Sequence, residues 1–211
     1  RRRHTRYWRD WSSDVCSSDL LSLVHDASPM CGETVAVIGQ GLIGLLVIKL
    51  LKRHCGVRET MSCDLSPCRR ALSKLAGSKY ALSPDEFYMY SHQQIGTTER
   101  PDIIIEVSGH PSGLQTAIDN TRFGGKIILG SWYGDKAISS LVLGLPFHRS
   151  HIQLITSQVS DIPARLSNRW SKKRRFDTTW KILKDIQPSK WLASKTISLS
   201  EEEVQGAYES L

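Results

Sequence analysis

Three glycines at positions 39, 41 and 44 have the spacing of a loop that binds phosphate. Residues 35–38 before them form a short, unbroken apolar run, which is typical of a parallel strand buried on both faces. Residues 45–54 after them have the pattern of a helix, and the amides at a helix N-terminus bind pyrophosphate at the positive end of the helix dipole. Gly39 would permit the turn, Gly41 would let the backbone approach the phosphate, and Gly44 would let the helix pack closely on the strand. The alternative is a glycine-rich turn with a purely structural role.

An acidic residue stands where a dinucleotide would need one. Asp64 lies twenty positions beyond Gly44, at the end of a second predicted strand, residues 57–64. A carboxylate there accepts hydrogen bonds from the two hydroxyls of an adenosine ribose and repels a 2′-phosphate, so it favours NAD over NADP. Arg69 and Arg70 keep NADP open, because a guanidinium in the first turn of the next helix can pair with a 2′-phosphate or stack on adenine.

Strand-like and helix-like segments alternate from residue 34 to residue 131. This alternation predicts an α/β fold, a doubly wound parallel sheet of the Rossmann type. Residues 151–157 are predicted to form a sixth strand, and residues 178–186 a later helix. Ser66-Pro67 and Ser83-Pro84 are predicted helix starts, because serine caps a helix and proline is tolerated in its first turn.

The predicted strand at residues 103–107 ends at Ser108 and Gly109. The carboxyl ends of parallel strands form the ligand-binding edge of an open α/β sheet, so these two residues are expected to line a cleft. Glu106, inside the β-branched run, is interpreted as a hydrogen-bonded strand residue near the site rather than as a ligand contact.

Taken together, four segments resemble the cofactor-binding half of the medium-chain dehydrogenase/reductase superfamily, which includes the zinc alcohol dehydrogenases. The resemblance extends over residues 20–211. A later segment, Pro146 to Ser160, resembles more particularly the branch that contains the bacteriochlorophyllide-type dehydrogenases. The four segments are Glu33 to Gly44, Asp64 to Arg69, Ile105 to Pro111 and Phe123 to Gly130.

The resemblance implies an NAD(P)-dependent oxidoreductase that transfers hydride between nicotinamide and an alcohol or carbonyl substrate. It implies cofactor contacts at the pyrophosphate, at the adenosine, along the cleft and, through backbone groups, beside the nicotinamide. Trp132 and Tyr133 are interpreted as hydrophobic cover for the cleft or as a subunit contact. The residues implied to bind the pyrophosphate are Gly39, Gln40, Gly41, Leu42, Ile43 and Gly44, and those implied to bind the adenosine are Asp64 and Arg69. Ser108 and Gly109 are implied to line the cleft, and Gly130, Ser131, Thr156 and Ser157 to lie beside the nicotinamide.

In this superfamily the catalytic zinc and its ligands lie in an N-terminal barrel-like domain, and no segment of this sequence matches that domain. No residue is therefore assigned as catalytic or as a metal ligand. We expect a cofactor-binding fragment that is itself inactive, with a dinucleotide-binding domain over residues 21–190 and a truncated remnant of the catalytic domain over residues 191–211. An NAD-binding regulatory module without catalysis is the alternative.

The ends and the charge of the chain add further expectations. Residues 1–20 have no helical or strand period and resemble translated sequencing-adapter read-through, so we expect them to be non-native or disordered. The net charge of +7 is concentrated in residues 1–9 and 165–175. The second cluster is interpreted as a solvated helix face, with nucleic-acid binding as the weaker alternative. The resemblance also implies a homodimer that pairs through an edge strand, for which residues 151–157 are the candidate.

The remaining composition is that of an ordinary globular protein without a membrane partner. Hydrophobic residues make up 40% of the chain, and no apolar run approaches the roughly 18 residues that span a bilayer. The five cysteines are odd in number and form no CxxC pair, which favours reduced thiols, a cytoplasmic location and bystander roles. His148 and His151 are three apart but lack a third ligand, so a structural role is expected for both.

Overall fold

A sheet of parallel strands forms the centre of the protein. The computed structural model describes residues 19–93, 100–134 and 141–192, and in these ranges the sheet has six strands in the order β3-β2-β1-β4-β5-β6. Every neighbouring pair is parallel, so the predicted doubly wound α/β fold is confirmed. The strands are β1 (Thr34–Ile38), β2 (Glu59–Cys63), β3 (Tyr80–Leu82), β4 (Ile103–Glu106), β5 (Lys126–Leu129) and β6 (Gln153–Thr156).

The strand order creates a crevice at the carboxyl ends of β1 and β4. From β1 the chain builds outward through β2 and β3, and it then returns to the other side of β1 to form β4. Ile38, the last residue of β1, is in register with Cys63 of β2 and Glu106 of β4. Connections that diverge to opposite sides leave space between them, which is where open α/β sheets bind ligands.

Helices cover both faces of the sheet. The helices are α1 (residues 19–27), α2 (Leu42–His54), α3 (Pro67–Ala76), α4 (Pro84–Gln93), α5 (Pro111–Asn120) and α6 (Lys172–Ile186). Val35 and Val37 point into a core with α1, α2 and α6, whereas Ala36 and Ile38 point into a second core with α4 and α5. Because both faces are covered, β1 and β4 are buried along their whole length, as the apolar run in β1 and the β-branched run in β4 predicted.

The basic segment 165–175 differs from its prediction. Helix α6 begins at Lys172, six residues earlier than expected, because the Ser171 side chain accepts a hydrogen bond from the Arg174 amide and caps the helix. The interpretation of this segment as a solvated helix face is wrong for Arg175, which is only 1% exposed. Its guanidinium donates to the backbone carbonyl of Asp161 at 2.6 Å and to that of Val159. Arg175 therefore fixes the loop that follows β6.

Both ends of the described chain pack on the core. Leu20 in α1 is 1% exposed, and Trp191 and Leu192 pack against the cluster that contains α2. Most of residues 1–20 and the predicted strand-like segment 193–199 lie outside the described residues, so the expected domain boundaries stay predictions. Within the described ranges, no helix is long and apolar enough to cross a membrane.

We predict that Arg175→Met lowers the free energy of unfolding by about 2 kcal/mol, because two carbonyls lose a charged donor in a buried site. Urea denaturation followed by circular dichroism would measure the change. Lys173→Met is the matched control, since the Lys173 side chain is 84% exposed and pairs with Asp177 on the same helix, and it should cost less than about 0.5 kcal/mol. Equal losses in the two variants would contradict the structural role given to Arg175.

Candidate functional site

The turn after β1 requires glycine at position 39. Gly39 has φ = +91°, in the left-handed region, and a Cβ on it would lie 2.5 Å from Cα of Ser108 in the loop after β4. Its amide donates to the carbonyl of Cys63 at the end of β2, at 2.8 Å. Gly39 thus brings the ends of β1, β2 and β4 together, which agrees with its predicted role in the turn.

The N-terminus of α2 forms an open cradle above this turn. Gly41 is the N-cap and has no side chain to occupy the space, and a Cβ on it would meet nothing within 4 Å. The first helical hydrogen bond runs from the Leu45 amide to the Gly41 carbonyl at 3.0 Å, so the amides of residues 42–44 precede the hydrogen-bonded part of the helix. A Cβ on Gly44 would lie 1.9 Å from the carbonyl oxygen of Gly39, so this glycine allows the helix to pack on the strand end as predicted.

The other residues of the loop divide between solvent and core. The Leu42 side chain is 58% exposed at the rim, and Ile43 is partly buried against the α2 core. Gln40 is completely buried, and its side-chain amide donates to the carbonyls of Val37 at 2.9 Å and Gly39 at 3.2 Å. The Gln40 side chain therefore braces the turn from inside.

Asp64 connects the glycine loop to the start of α3. One of its carboxylate oxygens accepts from the Gln40 amide at 2.6 Å, and the other accepts from the Ser66 amide at 2.8 Å. A carboxylate oxygen can accept two hydrogen bonds, so each oxygen of this half-buried side chain can still receive a ribose hydroxyl. Arg69 is exposed in the first turn of α3. Arg70 instead turns back and donates to the carbonyls of Asp64 and Leu65, at 2.9 Å each.

The far half of the cleft lies at the ends of β4, β5 and β6. The Gly109 amide donates to the hydroxyl of Ser131 at 2.8 Å, which links the loops after β4 and β5. The Ser157 hydroxyl donates to the Asp26 carboxylate of α1 at 2.6 Å. A cavity of about 1040 Å³ opens here, and its lining includes four predicted site residues, Gly130, Ser131, Thr156 and Ser157. The predicted site residues thus lie along the carboxyl-end edge of the sheet, from the exit of β2 and the start of α3 to the exit of β6.

A buried carboxylate beneath the cleft organises two of its loops. Glu106 at the end of β4 is completely buried and accepts hydrogen bonds from the Ser108 amide at 2.8 Å and the Ser108 hydroxyl at 2.5 Å. The Tyr133 hydroxyl donates to its other oxygen at 2.8 Å. The interpretation of Glu106 as a hydrogen-bonded strand residue is confirmed.

The interpretation of Tyr133 as hydrophobic cover misses this hydrogen bond. Burial, reinforced by the bond to Glu106, raises the pKa of the Tyr133 phenol, so it stays a donor at neutral pH. Trp132, by contrast, is 84% exposed. The sequence signal that could have predicted this hydrogen bond is the glutamate inside an otherwise apolar central strand, because a buried carboxylate needs hydrogen-bond donors from a neighbouring segment.

Cys63, His148 and His151 have surroundings that suit structural roles. Burial raises the pKa of the Cys63 thiol to about 12, which keeps it protonated and unreactive. His148 belongs to a π-helical turn, Gly144–His148, and the His151 ring packs edge-on against Phe123, with 5.3 Å between ring centroids. In the described part of the chain, no group of three or more His, Cys, Asp or Glu residues could hold a metal ion.

Comparison with known proteins gives a consistent family. The sequence model of the zinc-binding dehydrogenases matches residues 43–173. D-guloside 3-dehydrogenase of Escherichia coli K12 is 28% identical over 177 residues, which are 82% of this chain and 50% of that protein. The chain therefore spans about half the length of this curated relative.

Solved structures share the fold at lower identity. A short chain alcohol dehydrogenase from Escherichia coli CFT073, complexed with NADH, superposes with a TM-score of 0.64 at 18% identity, over 82% of this chain and 47% of that one. A zinc-binding dehydrogenase from Sinorhizobium meliloti 1021, bound to NADP, gives 0.63 at 17% identity, over 80% and 47%. At these identities the likeness shows the fold alone.

We predict opposite outcomes for the same change at two glycines of the loop. Gly44→Ala should lower the free energy of unfolding by more than about 2 kcal/mol, because its methyl group would overlap a backbone carbonyl. Gly41→Ala should cost less than about 1 kcal/mol, because its methyl group enters open space, where it would hinder a bound phosphate.

Urea denaturation gives the stabilities, and calorimetric titration with NAD gives the binding. Gly41→Ala should weaken NAD binding while the fold persists. Equal stability of the two variants would contradict the packing role of Gly44, and unchanged NAD affinity of Gly41→Ala would contradict the phosphate cradle.

Proposed function

Because this chain belongs to the zinc-binding dehydrogenases of the medium-chain dehydrogenase/reductase superfamily, we propose that it forms the NAD-binding part of an oxidoreductase. The reaction would transfer hydride between nicotinamide and an alcohol or carbonyl substrate. The observation that carries the proposal is the open cradle at the N-terminus of α2. It lies beside β1, where the strand order switches from one side of the sheet to the other.

The cradle has the properties that a dinucleotide pyrophosphate requires. The backbone amides of residues 42–44 precede the first helical hydrogen bond, and the space beside Gly41 is open. The helix dipole is positive at this end, and no acidic residue lies in the first turn of α2 to repel a phosphate. The Asp64 carboxylate is held beside the same loop by the Gln40 amide, so pyrophosphate and adenosine ribose can be bound together.

The chain's own residues would orient the cofactor rather than react. The amides of the glycine loop hold the pyrophosphate, and Asp64 accepts hydrogen bonds from the ribose. Backbone groups at Gly130, Ser131 and Thr156 then define which face of the ring is open at the far half of the cleft. Nicotinamide, when bound, supplies the hydride chemistry. The described residues offer no fitting set of metal ligands, so we derive no step through zinc.

The proposal predicts that the wild-type chain binds NAD more tightly than NADP in calorimetric titrations. Asp64→Ala should weaken NAD binding by about tenfold, which corresponds to the loss of about 1.4 kcal/mol of charged hydrogen bonding, and should remove the preference over NADP. Asp64→Asn is the control for side-chain size: it removes the charge and keeps one oxygen that can accept from the Gln40 amide, but its NH2 group cannot accept from the Ser66 amide. Absence of binding of both nucleotides to the folded wild-type chain, or a preference for NADP, would contradict the assignment.

We also propose that a second copy of this chain pairs along β6. This strand has β5 as its single neighbour in the described sheet, and Leu154 on it is 38% exposed. Val142, Leu143 and Leu145, in the segment before it, are exposed apolar residues as well. An unprotected apolar edge strand favours pairing with another strand.

Sedimentation velocity tests this proposal. Leu154→Lys should shift the chain from dimer to monomer, because a charged residue on an edge strand opposes pairing. Leu75→Lys, at a leucine that is 64% exposed on α3, is the matched control and should leave the dimer intact. A monomeric wild-type chain at micromolar concentration would refute the interface.

A further inference from the structure

The buried carboxylate of Glu106 lies where the two halves of the cleft meet. It ends β4, one strand away from the glycine loop, and it has no exposed surface. In the described ranges no lysine, arginine or histidine lies within 4 Å of its carboxylate, so hydrogen-bond donors surround it in place of an ion pair. A buried charge is tolerated only when such donors are held firmly in place.

The N-terminus of α5 completes the environment of this carboxylate. A Cβ on Gly113, the third residue of α5, would lie 2.5 Å from a carboxylate oxygen of Glu106 and 2.4 Å from the Ser108 hydroxyl oxygen. Glycine at this position therefore lets the first turn of α5 lie directly on the carboxylate. The positive end of the helix dipole then stabilises the negative charge.

The donors of Glu106 come from the two loops that form the far half of the cleft. Ser108 belongs to the loop after β4, and Tyr133 belongs to the loop after β5. A second link joins the same loops, from the Gly109 amide to the Ser131 hydroxyl. Gly39 lies so close to the backbone of Ser108 that a Cβ on it would clash, so the loop after β4 packs directly against the glycine turn.

The near half of the cleft is built differently. Asp64, the Gln40 amide and the N-terminus of α2 define it, and none of their hydrogen bonds described above involves Glu106 or Tyr133. A change at Tyr133 should therefore alter the far half and leave the adenosine half as it is.

We propose that Glu106 and Tyr133 are positioning residues, whose hydrogen bond holds the loop after β5 against the loop after β4 and so sets the shape of the nicotinamide half of the cleft. This inference rests on the proposed function, because it presumes that a dinucleotide occupies the cleft with its nicotinamide at the far end. Neither side chain is required to touch the cofactor.

The test compares two ligands that share the adenosine half. NADH spans the whole cleft, whereas ADP-ribose lacks the nicotinamide. Tyr133→Phe removes one hydroxyl, and calorimetric titration of the full chain should show the dissociation constant of NADH rising about three- to tenfold. The dissociation constant of ADP-ribose should stay within about twofold of wild type. The fluorescence anisotropy of bound NADH should fall, because a loosened loop leaves the ring more mobile.

Two further variants complete the experiment. Tyr88→Phe removes a hydroxyl from a tyrosine on α4, outside this network, and should change neither ligand's affinity. Glu106→Gln keeps the shape of the side chain but replaces one acceptor oxygen with a donor, and it should reproduce the selective loss of NADH affinity.

The outcomes separate the inference from the proposed function. Equal weakening of NADH and ADP-ribose by Tyr133→Phe, or unchanged binding of both, would overturn the positioning role while wild-type binding still supported the function. Failure of the wild-type chain to bind either ligand would overturn the proposed function, and the inference with it.

Discussion

The close approach of α2 to the end of β1 is the constraint on which the rest of the site depends. A Cβ on Gly44 would lie 1.9 Å from the carbonyl oxygen of Gly39, so the helix can start where it does only because this residue is glycine. That placement directs the first amides of α2 toward the crevice. The far end of α2 carries Lys52, Arg53 and His54, which suit the negative end of the dipole, and Arg53 pairs with Asp185 of α6 at 2.5 Å. The helix thus packs closely on the end of β1 at its N-terminus and carries an exposed ion pair to α6 at its C-terminus.

The two halves of the cleft differ in how they are held. The near half is formed by the consecutive unit β1, α2 and β2, and its key contact, Gln40 to Asp64, joins residues only 24 positions apart. The far half joins the ends of β4, β5 and β6 to each other and to α1. Its geometry depends on contacts between segments that the chain brings together only when the whole sheet has formed.

This difference explains what the sequence could predict. Local patterns identified β1, the glycine loop and the starts of α3 and α4, because strand period, glycine spacing and capping residues are all encoded within a few positions. The start of α6 was placed too late, since four consecutive basic residues hide its apolar period. The roles of Arg175 and Tyr133 were missed for a different reason: their partners are carbonyl or carboxylate groups 14 to 27 positions away, and no spacing rule connects them.

Helix α1 is part of the site although it precedes the glycine motif. Leu23 of α1 packs where a Cβ on Gly130 would lie, 2.5 Å from the leucine side chain, so glycine at the exit of β5 is explained by packing against α1. Asp26 of α1 holds the hydroxyl of Ser157 at the exit of β6. On the same helix, burial, together with the field of Arg175 and neighbouring arginines, lowers the pKa of His25 to about 4, so its ring packs against Trp170 in the neutral form. The neutral form follows from burial and from the nearby arginines, both of which disfavour a charged imidazole at this position. The exits of β5 and β6 therefore contact a helix that lies outside the strand–glycine–helix unit, and a site defined from that motif alone would lack an element that shapes the far half of the cleft.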